Sequence, residues 1–116
     1  MGCPHPKKRR PITEDELLTA VTSGTKKSPG LCKLLGVRYF HPHDSRRSVP
    51  GFPDLFLIGT EGFAFRELKS GTGTMRPEQR AWRDALRAAG ADWGLWRPED
   101  LESGRIRAEL AALMGG

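Results

Sequence analysis

Along the chain, apolar residues come in short runs divided by polar, Gly- and Pro-rich segments, and the period within each run predicts its element. Residues 1–12, with three prolines and Lys7-Lys8-Arg9-Arg10, carry no such period and read as a flexible basic tail. Thr13-Glu14-Asp15-Glu16 has the form of a capping box, and Leu17, Leu18 and Val21 follow at helical spacing. Gly24, Pro29 and Gly30 punctuate that helix, and residues 31–36 predict one more helical turn closed by Gly36. Residues 37–41 (VRYFH) have the β-branched and aromatic content of a short strand. The continuous apolar run in 53–59 (PDLFLIG) predicts a strand buried on both faces. Glu61-Gly62 signals a tight turn, from which 63–69 (FAFRELK) returns as the paired strand. After a Gly-rich loop at 70–74, Pro77 suits the first turn of a helix spanning 76–89. Residues 91–97 predict another strand, Pro98-Glu99-Asp100 a short helical turn, and 105–114 a closing helix. The order α-β-β-β-α-β predicts one α/β or α+β domain over 13–116, a small mixed sheet flanked by helices.

Composition narrows the class. A chain of 116 residues buries roughly two thirds of its unfolded surface, enough for one core. An apolar fraction of 37% and a charged fraction of 28% exclude a disordered chain. No apolar run approaches the ~20 residues that span a bilayer, and no apolar segment follows the basic stretch near the N-terminus, as a secretory signal requires. The reading is a cytoplasmic protein without a membrane partner. Cys3 and Cys32 have no partners at ligand spacing and read as reduced thiols. A zinc site from Cys32, His41, His43 and Asp44 lacks any CxxC or HxxxH pattern. Nineteen Lys and Arg against fourteen Asp and Glu give a net charge of +5 and a pI near 9.7. That balance suits a polyanionic partner, and equally a merely soluble basic protein.

Three charges interrupt the most apolar part of the chain. Glu67 and Lys69 are two apart in one strand and project from one face. Asp54 opens the preceding strand, so hairpin pairing brings residues near 54 opposite residues near 67 or 68. Two carboxylates forced together repel unless a proton or a cation intervenes. A hard divalent ion, Mg²⁺ or Mn²⁺, suits oxygen donors and could activate a water against a phosphodiester. Lys69 could then orient that water or stabilise charge on phosphate. The spacing D-x12-E-x-K by itself is also met by a surface cross-strand pair with a turn aspartate.

The surroundings of those residues are more specific. GFPDL before one strand, ELKSG ending the next, PEQRAW in the following helix and LWRPEDL after the last strand together resemble the VRR-NUC family, a branch of the PD-(D/E)xK nuclease superfamily. The resemblance runs from about Thr13 to Leu101 and implies a restriction-endonuclease-like αβββαβ core. It implies that Asp54 and Glu67 are metal ligands, helped by the backbone carbonyl of Leu68. Lys69 would be the catalytic lysine and Gln79 the supporting glutamine on the next helix. Glu14 best fits the family's glutamate early in the first helix; Glu16, its rival, already has a capping role. Where the family often shows Gly-Trp before the first strand, this chain has Gly36-Val37, and residues near 24–30 form an insertion.

What the resemblance implies about activity is a Mg²⁺- or Mn²⁺-dependent DNA endonuclease of bacterial or phage origin. Stand-alone members resemble homodimeric, structure-selective enzymes cutting branched, Holliday-junction-like DNA in replication, recombination or repair. A flap-cutting or restriction-type nuclease is the alternative, as is a non-catalytic DNA-binding protein on the same fold. Independently of the family, Arg76, Arg80, Arg83 and Arg87 fall within an arc of about 60° on the helix at 76–89. Such a stripe could track a DNA backbone or be an ordinary solvated face. Trp82, Ala85, Leu86 and Ala89 form a separate face suited to the core, with Gln79 at the boundary. Arg46 and Arg47, in the loop before the hairpin, are further phosphate-contact candidates. His41 reads as a strand residue with a satisfied hydrogen bond rather than as a catalytic base.

Overall fold

Thr13 accepts a hydrogen bond from the Glu16 backbone N–H at 3.1 Å, and Glu16 returns one from the Thr13 N–H at 3.0 Å. This reciprocal cap starts α1 (Glu14–Val21). The computed structural model describes residues 12–42 and 49–116. The basic tail, Arg46 and Arg47 lie outside the described residues. The remaining elements are α2 (Leu31–Leu35), β1 (Arg38–Phe40), β2 (Leu55–Ile58), β3 (Phe63–Leu68), α3 (Pro77–Ala88), β4 (Trp93–Trp96), α4 (Pro98–Glu102) and α5 (Arg105–Leu113). The insertion at 24–30 is a tight loop closed by a bridge between Gly24 and Pro29.

The sheet has the order β1-β2-β3-β4. β1, β2 and β3 form an antiparallel meander, and β4 joins β3 in parallel. That last pairing needs a crossover, which α3 supplies. Strand alternation sorts the side chains. Leu55 and Leu57 of β2 and Ala64 and Leu68 of β3 face a core completed by Leu17, Val21, Trp96, Ile106 and Leu110. The helices α1, α2, α4 and α5 pack among themselves and against that face.

The opposite face carries Phe56 and Ile58 from β2 and Phe63 and Phe65 from β3. The expectation of a β2 strand buried on both faces is corrected here. Phe56 is half-buried, and Ile58 and Phe63 are 41% and 51% exposed. The apolar run is continuous because one side makes the core and the other makes an aromatic cluster. In that cluster Phe52 meets Phe65 and Trp82 edge-on at 6.1 and 5.1 Å, and Phe56 meets Phe65 at 5.2 Å.

α3 also differs from expectation. None of its residues is buried; Trp82 and Leu86 are half-buried, and Ala85 and Ala89 are exposed. The helix meets the sheet through Gln79, which donates to Glu67 of β3, and through Arg87, whose guanidinium lies 5.0 Å from the Trp93 ring centroid, while Trp82 packs on Phe52 of the preceding loop. Its N-terminus is fixed by a loop. Gly51 takes φ +82°, and a Cβ there would stand 2.4 Å from the Glu78 carbonyl carbon. A side chain is opposed both by that conformation and by the contact. Gly51→Ala is therefore expected to lose about 1–3 kcal/mol in chemical denaturation, with α3 pushed off its seat.

Candidate active site

The β2–β3 register pairs Leu55 with Arg66, so its next step places Asp54 opposite Glu67. Both project from the face that carries Lys69. Pro53, buried before Asp54, fixes the entry to the strand. Asp54 Oδ2 accepts the Leu68 backbone N–H at 2.8 Å. Strand alternation sends the Leu68 carbonyl toward the same β2 side as its N–H. Glu67 is 1% exposed and Lys69 6%. Gln79, from the first turn of α3, donates from Nε2 to Glu67 Oε2 at 3.2 Å, while its Oε1 accepts the Arg76 N–H at 2.8 Å. Gln79 thus caps its own helix and reaches the sheet edge, as its boundary position predicts.

These residues open into a cavity of about 420 Å³ lined by Glu14, Asp54, Lys69, Arg76, Glu78 and Gln79, with the segment 49–53 as one wall. A larger cavity, about 580 Å³, lies between α1 and α2 and is lined by Leu31, Leu34 and Leu101 among others. It contains none of the charged pair, so its size has no bearing on the chemistry. Burial pushes the Glu67 carboxyl far above the usual carboxylate range, helped by a hydrogen bond and repulsion from Asp54; Lys69 opposes the rise. Burial and the neighbouring Asp54 charge both oppose ionisation of Glu67. Glu14 is more exposed. Burial and then the Asp54 charge raise its carboxyl, while Lys69 and Arg76 pull it down.

The structure brings together Glu14, Asp54, Glu67, Leu68, Lys69 and Gln79. Glu16 is spent in the α1 cap and lines the other cavity. Of the arginine stripe, Arg76 lines the site, and Arg80 donates to the Met75 carbonyl at 2.8 Å. Arg83 is half-buried and pairs with Asp84 at 2.9 Å, whereas Arg87 is exposed at the far end of α3. Cys32 is fully buried in the core, and burial raises its thiol to about 12. Glu78, a lining residue, escapes the sequence reading; it sits beside Gln79, with adjacency as its only signal. His41 makes the hydrogen bond expected of it, its Nδ1 lying 2.7 Å from the Asp54 carbonyl oxygen.

No family model matches the chain, and no curated protein matches it. Among solved structures it is similar to a VRR_NUC domain protein, with a TM-score of 0.55 and 22% sequence identity over 76% of this chain and 79% of that chain. The chain has a VRR_NUC fold. No described helix is long and apolar enough to cross a membrane.

Proposed function

We propose that this protein is a metal-dependent DNA endonuclease, structure-selective for branched DNA such as four-way junctions, working as a homodimer in replication, recombination or repair. The observation that carries the reading is the buried Glu67 carboxyl opposite the half-buried Asp54, with buried Lys69 on the same face. Lys69 offsets only part of the repulsion between the two carboxylates, and a hard cation offsets the rest. Among the described residues, no three His, Cys, Asp or Glu side chains form a ready-made cage. Two carboxylates with a carbonyl and retained waters fit Mg²⁺, with Mn²⁺ as a substitute. Asp54, Glu67 and the Leu68 carbonyl would hold the ion, which when bound supplies Lewis acidity and lowers the pKa of a water.

The remaining work falls to this chain's own side chains. Lys69 holds positive charge where a phosphate oxygen gains negative charge, or orients the attacking water. Gln79 keeps the Glu67 carboxyl turned toward Asp54. Glu14 contributes a third carboxylate at the mouth of the cavity. Arg76, Arg80, Arg83 and Arg87, with Arg46 and Arg47 of the preceding loop, supply charge for the DNA backbone. The net charge of +5 and the fold of a VRR_NUC domain protein support a nucleic-acid substrate. A pure binder has no use for buried carboxylates that repel phosphate.

The aromatic sheet face supports self-association. Phe40, Ile58 and Phe63 are 60%, 41% and 51% exposed on it. Apolar surface of this kind marks an interface, and a second copy in two-fold pairing would present a second catalytic edge.

The test is cleavage of labelled four-way junction, flap and linear duplex with Mg²⁺, with Mn²⁺ and with chelator, alongside the mass in solution. Metal-dependent cutting of the junction by a dimer is expected. Metal-independent cutting, or binding without cutting under every metal, overturns the catalytic reading. A monomer mass with and without junction overturns the dimer.

A further inference from the structure

His41 follows β1 directly, and its ring Nδ1 lies 2.7 Å from the backbone carbonyl oxygen of Asp54. A carbonyl only accepts, so Nδ1 carries the proton and donates. The reason for this contact lies in the register. β1 and β2 pair Arg38 with Ile58, Tyr39 with Leu57 and Phe40 with Phe56, so two further steps place Pro42 opposite Asp54. Proline has no N–H and cannot continue the ladder. The Asp54 carbonyl, at the edge of the buried sheet, would otherwise lose a main-chain partner there. The imidazole of the preceding residue supplies the missing donor.

We propose that His41 is a positioning residue for Asp54: its Nδ1–H replaces the ladder bond that Pro42 cannot make and holds the Asp54 backbone in place for cation binding. This rests on the reading of Asp54 as a metal ligand. Asp54 is then fixed at two points, its carbonyl by His41 and its carboxylate by the Leu68 N–H at 2.8 Å. With Pro53 buried before it, the residue has little freedom left, and its other carboxylate oxygen keeps a fixed direction. His41 itself lines a separate groove with Leu18, Thr22 and Tyr39 rather than the carboxylate cavity. It therefore acts through Asp54 and not on substrate. Partners of this kind orient ligands without touching the ion, and their loss weakens metal binding about 10- to 100-fold.

Three variants separate positioning from bulk. The side-chain amide nitrogen of Asn falls close to Nδ1, that of Gln close to Nε2, and Phe fills the space without a donor. Calorimetric titration of the DNA-free protein with Mn²⁺ alone reads the effect, with thermal unfolding as a check on folding. His41→Phe is expected to weaken Mn²⁺ binding about 10- to 100-fold, His41→Asn to restore most of it, and His41→Gln to resemble Phe. Wild-type affinity in His41→Phe overturns the proposal, as does an Asn variant no better than Gln. If His41→Phe does not fold, the Asn and Gln pair decides alone. A wild-type protein that binds no Mn²⁺ overturns the nuclease reading together with this proposal, whereas normal binding by wild type and Phe variant overturns the role of His41 only.

Discussion

Lys69→Ala is expected to slow cleavage of a four-way junction about 10²- to 10³-fold while leaving the protein able to bind that junction. Lys69 is 6% exposed and lies on the face of Glu67, close enough for its charge to act on both Glu67 and Glu14. A cation placed there interacts with charge that develops during reaction. On the proposed reading it adds little to the outer phosphate contacts, which would fall to arginines exposed on α3. Single-turnover rates with Mg²⁺, set beside junction affinity measured with chelator, distinguish the two effects. Lys69→Arg is not expected to rescue, because a planar guanidinium cannot occupy a buried site shaped for an ammonium. A fully active alanine variant would sink the proposed mechanism. Loss of junction binding equal to the loss of rate would move Lys69 from chemistry to substrate binding.

The clustering of Asp54, Glu67 and Lys69 at one sheet edge is legible in the sequence because it depends on local rules. A tight turn at Glu61-Gly62 and a side-chain period of two are enough to set Asp54 against Glu67 and to put Lys69 on the same face. The α1 start is legible for the same reason: four residues contain both halves of the cap. That cap also separates the two candidate acids, since it occupies Glu16 and leaves Glu14 to line the cavity. What escapes depends on distant segments. The β2 run reads as doubly buried because its composition cannot tell a core from an aromatic cluster left partly open. The apolar stripe of α3 predicts a buried face, yet the helix touches the sheet through Gln79 and Arg87, and Trp82 packs on Phe52 of the loop before β2. The Gly51 loop seats its N-terminus on the side of the candidate site. His41 has an ordinary strand context, and its role emerges only when the register places Pro42 opposite Asp54.

Arg66 shows the same limit and carries the largest expected effect on stability. Alternation puts it on the core face between Ala64 and Leu68, where a lone charge would be prohibitive. Its partners come from elsewhere. The guanidinium pairs with Asp92 at 2.9 Å and, 43 residues away in sequence, with Glu109 at 3.0 Å. It also donates to the Phe65 and Asp92 carbonyls at 2.9 and 3.1 Å and lies 5.3 Å from the Trp96 ring centroid. Gly94 leaves room for it, since a Cβ there would stand 2.9 Å from Arg66 Nε. Glu109 in turn accepts from Trp96 Nε1 at 2.9 Å and from Arg105 at 2.7 Å. Arg66→Ala leaves a cavity in the core and strips Glu109 of one cation, at an expected cost of about 3–5 kcal/mol. That is a large share of the 5–15 kcal/mol typical of a domain. Arg66→Lys is expected to recover part of it, because one ammonium cannot serve two carboxylates and two carbonyls together. The loss also depends on pH. Burial opposes ionisation of Glu109, but the Trp96, Arg105 and Arg66 contacts outweigh it and hold the carboxyl below its usual value. Its contribution is therefore present above the unfolded carboxylate value of about 4.3 and fades as pH falls through the lower folded value. Removing Arg66 shrinks that contribution. The stability difference between wild type and Arg66→Ala should narrow as the medium is acidified below about pH 4, a comparison in which the Glu67 titration common to both proteins cancels. Urea denaturation of the two proteins between neutral and acid pH measures it. A difference that stays constant across that range would show that Arg66 stabilises the core by packing rather than through Glu109.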